Sequence, residues 1–130
     1  MYGKVCFKSE NYITELKDVK EKFDTILCLS LTKWIHLNYG DFGIKALFLK
    51  MYEQLEKGGI LILEGHPWKS YKKNKKMNEW SKVNFQQIKL RPNLYKAYLE
   101  KIGFKFMTTF KQRKEGDEGG IDRPIMIFKK

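Results

Sequence analysis

Lys33, His36 and Asn38 stand within six residues of one another, interleaved with Ser30, Thr32 and Trp34. A lysine ammonium is a compact cation suited to a phosphate. An imidazole near neutral pH donates a hydrogen bond or takes up a proton. A single loop lysine is ordinarily solvated, and a single histidine is ordinarily structural. Their position makes these two candidates, because they follow directly on Phe23 to Leu29, a nearly continuous apolar run of strand-forming residues. In open parallel sheets, ligands sit beyond the carboxyl ends of the strands. Three segments share that position: Asn11-Tyr12, Ser30 to Asn38, and Glu64 to Trp68.

The elements that must hold these segments are legible in outline. The chain of 130 residues suits one domain. Gly3 to Phe7 reads as a strand, Asn11-Tyr12 as a turn, and residues 14–22 as a short helix or loop. Phe23 to Leu29 reads as a strand buried on both faces. Ser30 to Gly40 is polar and reads as a loop, with Asp41 capping the helix that follows. Ile44, Leu47, Phe48, Met51, Tyr52 and Leu55 mark one face of that helix. Gly58-Gly59 are expected to stop it, and Ile60 to Leu63 form the next strand. Residues 65–90 are a long basic segment. Pro92 opens a second helix with an apolar face of Leu94, Tyr95, Tyr98, Leu99 and Ile102, ended by Gly103. Phe104 to Phe110 and Pro124 to Phe128 are closing strands, joined by a charged, Gly-rich connection. The order β-α-β-α-β-β predicts an α/β fold whose sheet closes with an antiparallel pair.

Several chemistries are excluded. No G-x-G-x-x-G or G-x-x-x-x-G-K-[ST] pattern is present, and Gly116, Gly119 and Gly120 lie between two strands rather than between a strand and a helix. A serine nucleophile has no elbow to stand on. Cys6 and Cys28 fall in apolar runs and read as buried thiols. Two Cys and two His without paired spacing do not make a zinc set, so no metal is expected. No 20-residue apolar run predicts a membrane span, and Met1 to Lys4 open no signal-peptide pattern. The expected setting is intracellular.

The net charge of +11 is unevenly spread. Residues 1–65 hold nine Lys and nine acids, whereas residues 66–130 hold 17 Lys or Arg against six acids. The second half therefore carries the whole excess, and such a field attracts polyanions, nucleic acid first. Within it, Lys69, Lys72, Lys73, Lys75, Lys76 and Lys82 alternate with Trp68, Tyr71 and Trp80. This is the pattern of a segment that faces nucleic acid.

The stretch Leu29-Ser30-Leu31-Thr32-Lys33-Trp34-Ile35-His36-Leu37-Asn38-Tyr39-Gly40-Asp41 closely resembles the signature of the bicoid-interacting RNA methyltransferases. Gly58 to Glu64 and Pro67 to Tyr71 resemble the next blocks of that family, and Arg123-Pro124 its last strand. Lys33 places the resemblance with the branch that caps small nuclear RNA with a methylphosphate. The branch acting on microRNA precursors tends to have Met there.

The resemblance implies a class I, Rossmann-like, S-adenosylmethionine-dependent methyltransferase that methylates the terminal phosphate at an RNA 5′ end. Asn11, Tyr12 and Leu29 would contact the cofactor. Thr32, Lys33, His36 and Asn38 would face the methyl donor and the RNA phosphates, with Lys33 as a phosphate clamp and His36 as a donor or orienting group. Trp68, Lys69, Lys72, Lys73, Lys75, Lys76 and Arg123 would bind RNA. Two departures stand out. The family reads Glu-Pro-Gln-Pro-Trp where this chain has Glu64-Gly65-His66-Pro67-Trp68. Ile121 stands where an aromatic often precedes the Arg-Pro pair. The family's Gly-rich cofactor loop would also fall before residue 1. Residues 1–130 are thus expected to be a partial methyltransferase domain, from the third strand onward. Its partners would be an RNA 5′ end and either an N-terminal half-domain or a second copy, with no membrane, in the nucleus ahead of the cytoplasm. The alternative is a non-catalytic RNA-binding fragment or degenerate relative of the fold.

Overall fold

The computed structural model describes residues 22–111 and 124–130. The expected first strand, the Asn11-Tyr12 turn, Cys6, the Gly-rich connection and Arg123 lie outside the described residues. Within them the order is β1 (Phe23–Leu29), α1 (Thr32–Gln54), β2 (Leu55–Glu64), α2 (Trp68–Asn74), α3 (Glu79–Gln87), a 3-10 turn (Pro92–Leu94), α4 (Tyr95–Ile102), β3 (Lys105–Phe110) and β4 (Ile125–Lys129). The strands form one sheet in the order β1-β2-β4-β3. β1 and β2 are parallel, and β4 runs antiparallel to both β2 and β3. The closing antiparallel pair is as expected. That β4 inserts between β2 and β3 is new, because strand order is a property of pairing and not of chain order.

One face of the sheet carries Ile26, Cys28, Leu61, Leu63, Phe106, Met126 and Phe128. It packs against Ile44, Leu47, Phe48 and Met51 of α1 and against Tyr95 and Leu99 of α4. The expected helix face is thus the face that the core takes. The other sheet face places Leu27, Ile62 and Ile127 in one row across β1, β2 and β4. Leu27 is 63% exposed and Leu29 48%. The expectation of a strand buried on both faces therefore fails for β1. Cys28 faces the helices, but nothing among the described residues covers the opposite side. Burial pushes the Cys28 thiol up to about 12, so it stays a neutral packing group.

Three element boundaries differ from expectation. Ser30 to Gly40 is not a loop, since α1 begins at Thr32. Its Thr32, Lys33 and His36 side chains are polar yet buried, so polarity concealed a helical face. A kink at Gly40, with φ 71 and ψ −165, splits α1 in two. That left-handed φ suits a residue without Cβ. It also frees the Leu37 carbonyl, which accepts a 2.8 Å hydrogen bond from Asn84 Nδ2 of α3. Asp41 restarts the helix, but its carboxylate is spent elsewhere, as described below. Gly58-Gly59 do not stop α1 either. Leu55 is already extended, fully buried and paired with Phe23. The register then jumps to Thr25 opposite Ile60, so residues 56–59 bulge out of the ladder, with Gly58 at φ 84.

Candidate functional site

The site is built where β1 and β2 end. Ser30 takes the left-handed conformation, with φ 54. Its N–H donates to the Glu64 carbonyl at 3.2 Å, and its hydroxyl donates to the Glu64 carboxylate. The carboxyl ends of the two parallel strands are thereby fastened together. The chain enters α1 two residues later. Among the described residues no side chain caps that end, and no acid stands in its first turn. The positive end of the peptide dipoles therefore lies at the carboxyl edge of the sheet.

Lys33 lies in this first turn and is buried. Its ammonium donates to Ser70 Oγ at 2.9 Å and to Asn74 Oδ1 at 3.0 Å, both on α2. It also lies 4.4 Å from the centre of the Trp34 ring. Lys33 therefore fastens α2 to the start of α1. Both of these acceptors are side-chain oxygens of α2, so they fix the direction of the ammonium.

His36, one turn further on, is fully buried. Its Nε2 lies 2.7 Å from Asp41 Oδ1, and its Nδ1 lies 2.9 Å from the Tyr71 hydroxyl and 3.0 Å from the Tyr95 hydroxyl. The two phenols are 2.8 Å apart. Asp41 also accepts from the backbone N–H groups of Lys89 and Leu90. Burial pushes the Asp41 carboxyl up, but the bonds from His36, Lys89 and Leu90 outweigh this and hold it below its ordinary 3.8. Burial holds the His36 imidazole below its ordinary 6.5, against the pull of Asp41. His36 is therefore neutral, with Nε2 donating to the carboxylate and Nδ1 accepting from a phenol. Burial raises Tyr71 and Tyr95, so both keep their protons. The cluster ties α1, α2, α4 and the segment after α3 into one unit.

The remaining expected residues divide by exposure. Thr32 is fully buried at the first helical position. Asn38 is exposed and turns its amide back onto the Trp34 carbonyl at 2.8 Å. Leu29 presents a half-exposed apolar side chain at the end of β1. His66 is buried, edge-on to Trp34. On α2 and just beyond it, Lys69, Lys72, Lys73 and Lys76 are exposed, while Lys75 leans over the Phe85 ring. Trp68 differs from its expected role on the RNA face. It stacks on Phe85 with ring centres 4.8 Å apart and packs with Leu37, Tyr71 and Ile88, and Arg91 lies over its ring. Its ring is engaged within the protein because α2 and α3 need an apolar contact with each other. Arg123, Asn11 and Tyr12 are outside the described residues. Among those described, no three His, Cys, Asp or Glu side chains gather as a metal site.

Sequence reasoning did not foresee Asp41, Tyr71, Tyr95, Ser70 and Asn74 as partners of the candidate residues. A carboxylate five residues after His36 was a usable signal. The two tyrosines, 24 residues apart, gave none.

A parallel strand-helix-strand unit with its polar cluster at the carboxyl edge, closed by an antiparallel pair, is a class I methyltransferase fold. The N-methyltransferase NodS of Bradyrhizobium japonicum shares it, with a TM-score of 0.54 over 90% of this chain and 55% of its own, at 13% identity. The chain belongs to the Bicoid-interacting protein 3 (Bin3) family, whose profile matches residues 23–130. A probable RNA methyltransferase of Arabidopsis thaliana is 41% identical over 127 residues, which are 97% of this chain and 40% of that protein. The U6 snRNA methylphosphate capping enzyme Amus of Drosophila melanogaster is 43% identical over 132 residues, 97% of this chain and 44% of that protein. The chain thus spans about two fifths of the length of these relatives. The family resemblance carried by residues 29–41 and 58–71 is borne out.

Proposed function

We propose that the chain forms the phosphate-gripping part of an S-adenosylmethionine-dependent RNA methyltransferase that methylates the 5′-terminal phosphate of a small RNA. The observation that carries this is Lys33. Its ammonium lies in the first turn of α1, at the carboxyl edge of the sheet, where Ser70 and Asn74 of α2 fix its direction. S-adenosylmethionine would supply an electrophilic methyl group. A 5′-phosphate oxygen is already anionic at neutral pH and takes a methyl without a strong base. The protein's task is then positioning and charge complementarity. Leu29, half exposed beside the Ser30 turn, offers an apolar shelf that fits the adenosine side of the cofactor; the family resemblance adds Asn11 and Tyr12 as cofactor contacts. Lys33 and the first-turn amides would hold the phosphates in line. Thr32 and Asn38 would border them from the same helix.

His36 is placed as a positioning residue in this reading. It is buried, and its ring nitrogens are taken up by Asp41, Tyr71 and Tyr95. It acts by holding α2, and so Ser70 and Asn74, against Lys33. Lys69, Lys72, Lys73, Lys75 and Lys76 would attract the RNA backbone without reading sequence. The relatives named for small nuclear RNA capping support an RNA partner and a nuclear setting.

A binding comparison tests the grip. The protein should prefer an RNA with a 5′-triphosphate over the same RNA with a 5′-hydroxyl. Lys33→Met should remove most of that preference while leaving affinity for the 5′-hydroxyl RNA intact. Equal binding of the two RNAs by the unaltered protein would contradict the assignment.

A further inference from the structure

We propose that the solvent face of α3 is a stacking site for single-stranded RNA, a reading that rests on the chain's being an RNA-binding protein and goes beyond the grip on the 5′ end. Trp80 is 73% exposed, the most exposed of the three tryptophans. The buried side of α3 is fully used: Ser81 is buried, Asn84 bonds to the Leu37 carbonyl, Phe85 stacks on Trp68, and Ile88, just past the helix end, is buried. Trp80, Val83 and Gln87 stand at i, i+3 and i+7, which puts them on one stripe of the opposite side. Val83 is 47% exposed, and Met77, just before the Asn78 cap, is 46%. Among the described residues this stripe is not part of either core cluster.

Charge selects its occupant. From Trp68 to Gln87 the chain holds six Lys and one acid, Glu79. A broad aromatic surface within so positive a segment matches a polyanion that also carries flat, apolar faces. Single-stranded RNA has both. A duplex hides its base faces in the stack, and so offers only its backbone. The amide of Gln87 adds a donor and an acceptor beside the ring, suited to a base edge. Lys72, Lys73, Lys76 and Lys82 are exposed and supply the backbone attraction. Stacking is tolerant of sequence because every base has a π-face. The site would therefore hold the strand near the 5′ end without choosing it.

The test uses an unstructured oligoadenylate of about twelve nucleotides and a blunt duplex of the same length. The single strand should quench tryptophan fluorescence of the protein and bind more tightly than the duplex. Trp80→Ala should weaken single-strand binding roughly 5- to 100-fold and leave its salt dependence unchanged, while Trp80→Phe retains most of the affinity. Neutralising Lys72, Lys73 and Lys76 together should instead flatten the salt dependence, by about 0.7 in slope for each RNA phosphate that no longer has a lysine beside it. At so exposed a position Trp80→Ala should keep the circular dichroism spectrum of the unaltered protein. If the unaltered protein binds the single strand and Trp80→Ala binds it equally well, the stacking site is overturned and RNA binding stands. If the unaltered protein binds no RNA, both fall. A blue shift of tryptophan emission on vesicles of anionic lipid, without quenching by RNA, would overturn the proposal in favour of a membrane surface.

Discussion

Lys33 and His36 sit three residues apart and do different work. Lys33 fastens α2 to the first turn of α1, whereas His36 is a neutral hub of a buried hydrogen-bond cluster. The difference lies in their partners, and the sequence could not show those. Both were legible as candidates from residue type and from their place after a strand. The reading of His36 as facing phosphates was not borne out by its surroundings, since Tyr71 and Tyr95 close over it from distant segments. The cluster makes the protein acid-sensitive. His36 has a folded pKa below its ordinary 6.5, so the unfolded chain binds its proton first as the pH falls, and stability drops from about pH 6.5 downward. Asp41, held below 3.8, adds a second loss that begins near that value and completes below it. Melting temperatures measured between pH 8 and pH 5 should therefore decline for the unaltered protein. His36→Gln should start lower but lose less over that interval. An equal pH slope in the two proteins would contradict the assignment of a buried neutral imidazole.

The second half of α1 and the whole of α4 were readable, because a 3.6-residue apolar period survives whatever packs on it. The first half of α1 was not. Lys33, Thr32 and His36 occupy its buried face, so the period was written in polar residues that have partners inside. The Gly58-Gly59 pair misled for a related reason. Leu55 is captured by the sheet before the glycines are reached, and they serve a bulge instead. The kink at Gly40 is set by its left-handed φ and by close packing beside it. A Cβ at Gly43 would stand 2.3 Å from the Tyr39 Cβ, across the kink. No rotamer relieves a Cβ–Cβ clash, so Gly43→Ala must shift the two halves of α1 against each other. We expect a loss of about 1–3 kcal/mol in stability by denaturant titration. An unchanged unfolding midpoint would show that the kink adjusts freely and does not fix the Lys33 turn.

At the scale of the molecule, the described residues form a two-layer structure. The helices α1 and α4 cover one sheet face, and the row Leu27, Ile62 and Ile127 leaves the other open. Apolar sheet faces are normally covered by a second layer. The charge asymmetry maps onto this plan. The neutral first half builds β1, α1 and β2, and the basic second half supplies α2 and α3 beside the carboxyl edge. Charge therefore showed which part of the chain is basic, while the direction of its aromatic side chains depended on packing, with Trp68 stacked on Phe85 and Trp80 exposed.

The most direct measurement is single-turnover transfer of a labelled methyl group from S-adenosylmethionine to RNA by the protein. Label should appear on RNA with a 5′-phosphate and not on the same RNA with a 5′-hydroxyl. Lys33→Met should lower the rate roughly 100-fold while changing RNA affinity far less. Label on internal nucleotides, equal labelling of the 5′-hydroxyl RNA, or an undiminished rate with Lys33→Met would contradict a 5′-phosphate methyltransferase site built on Lys33.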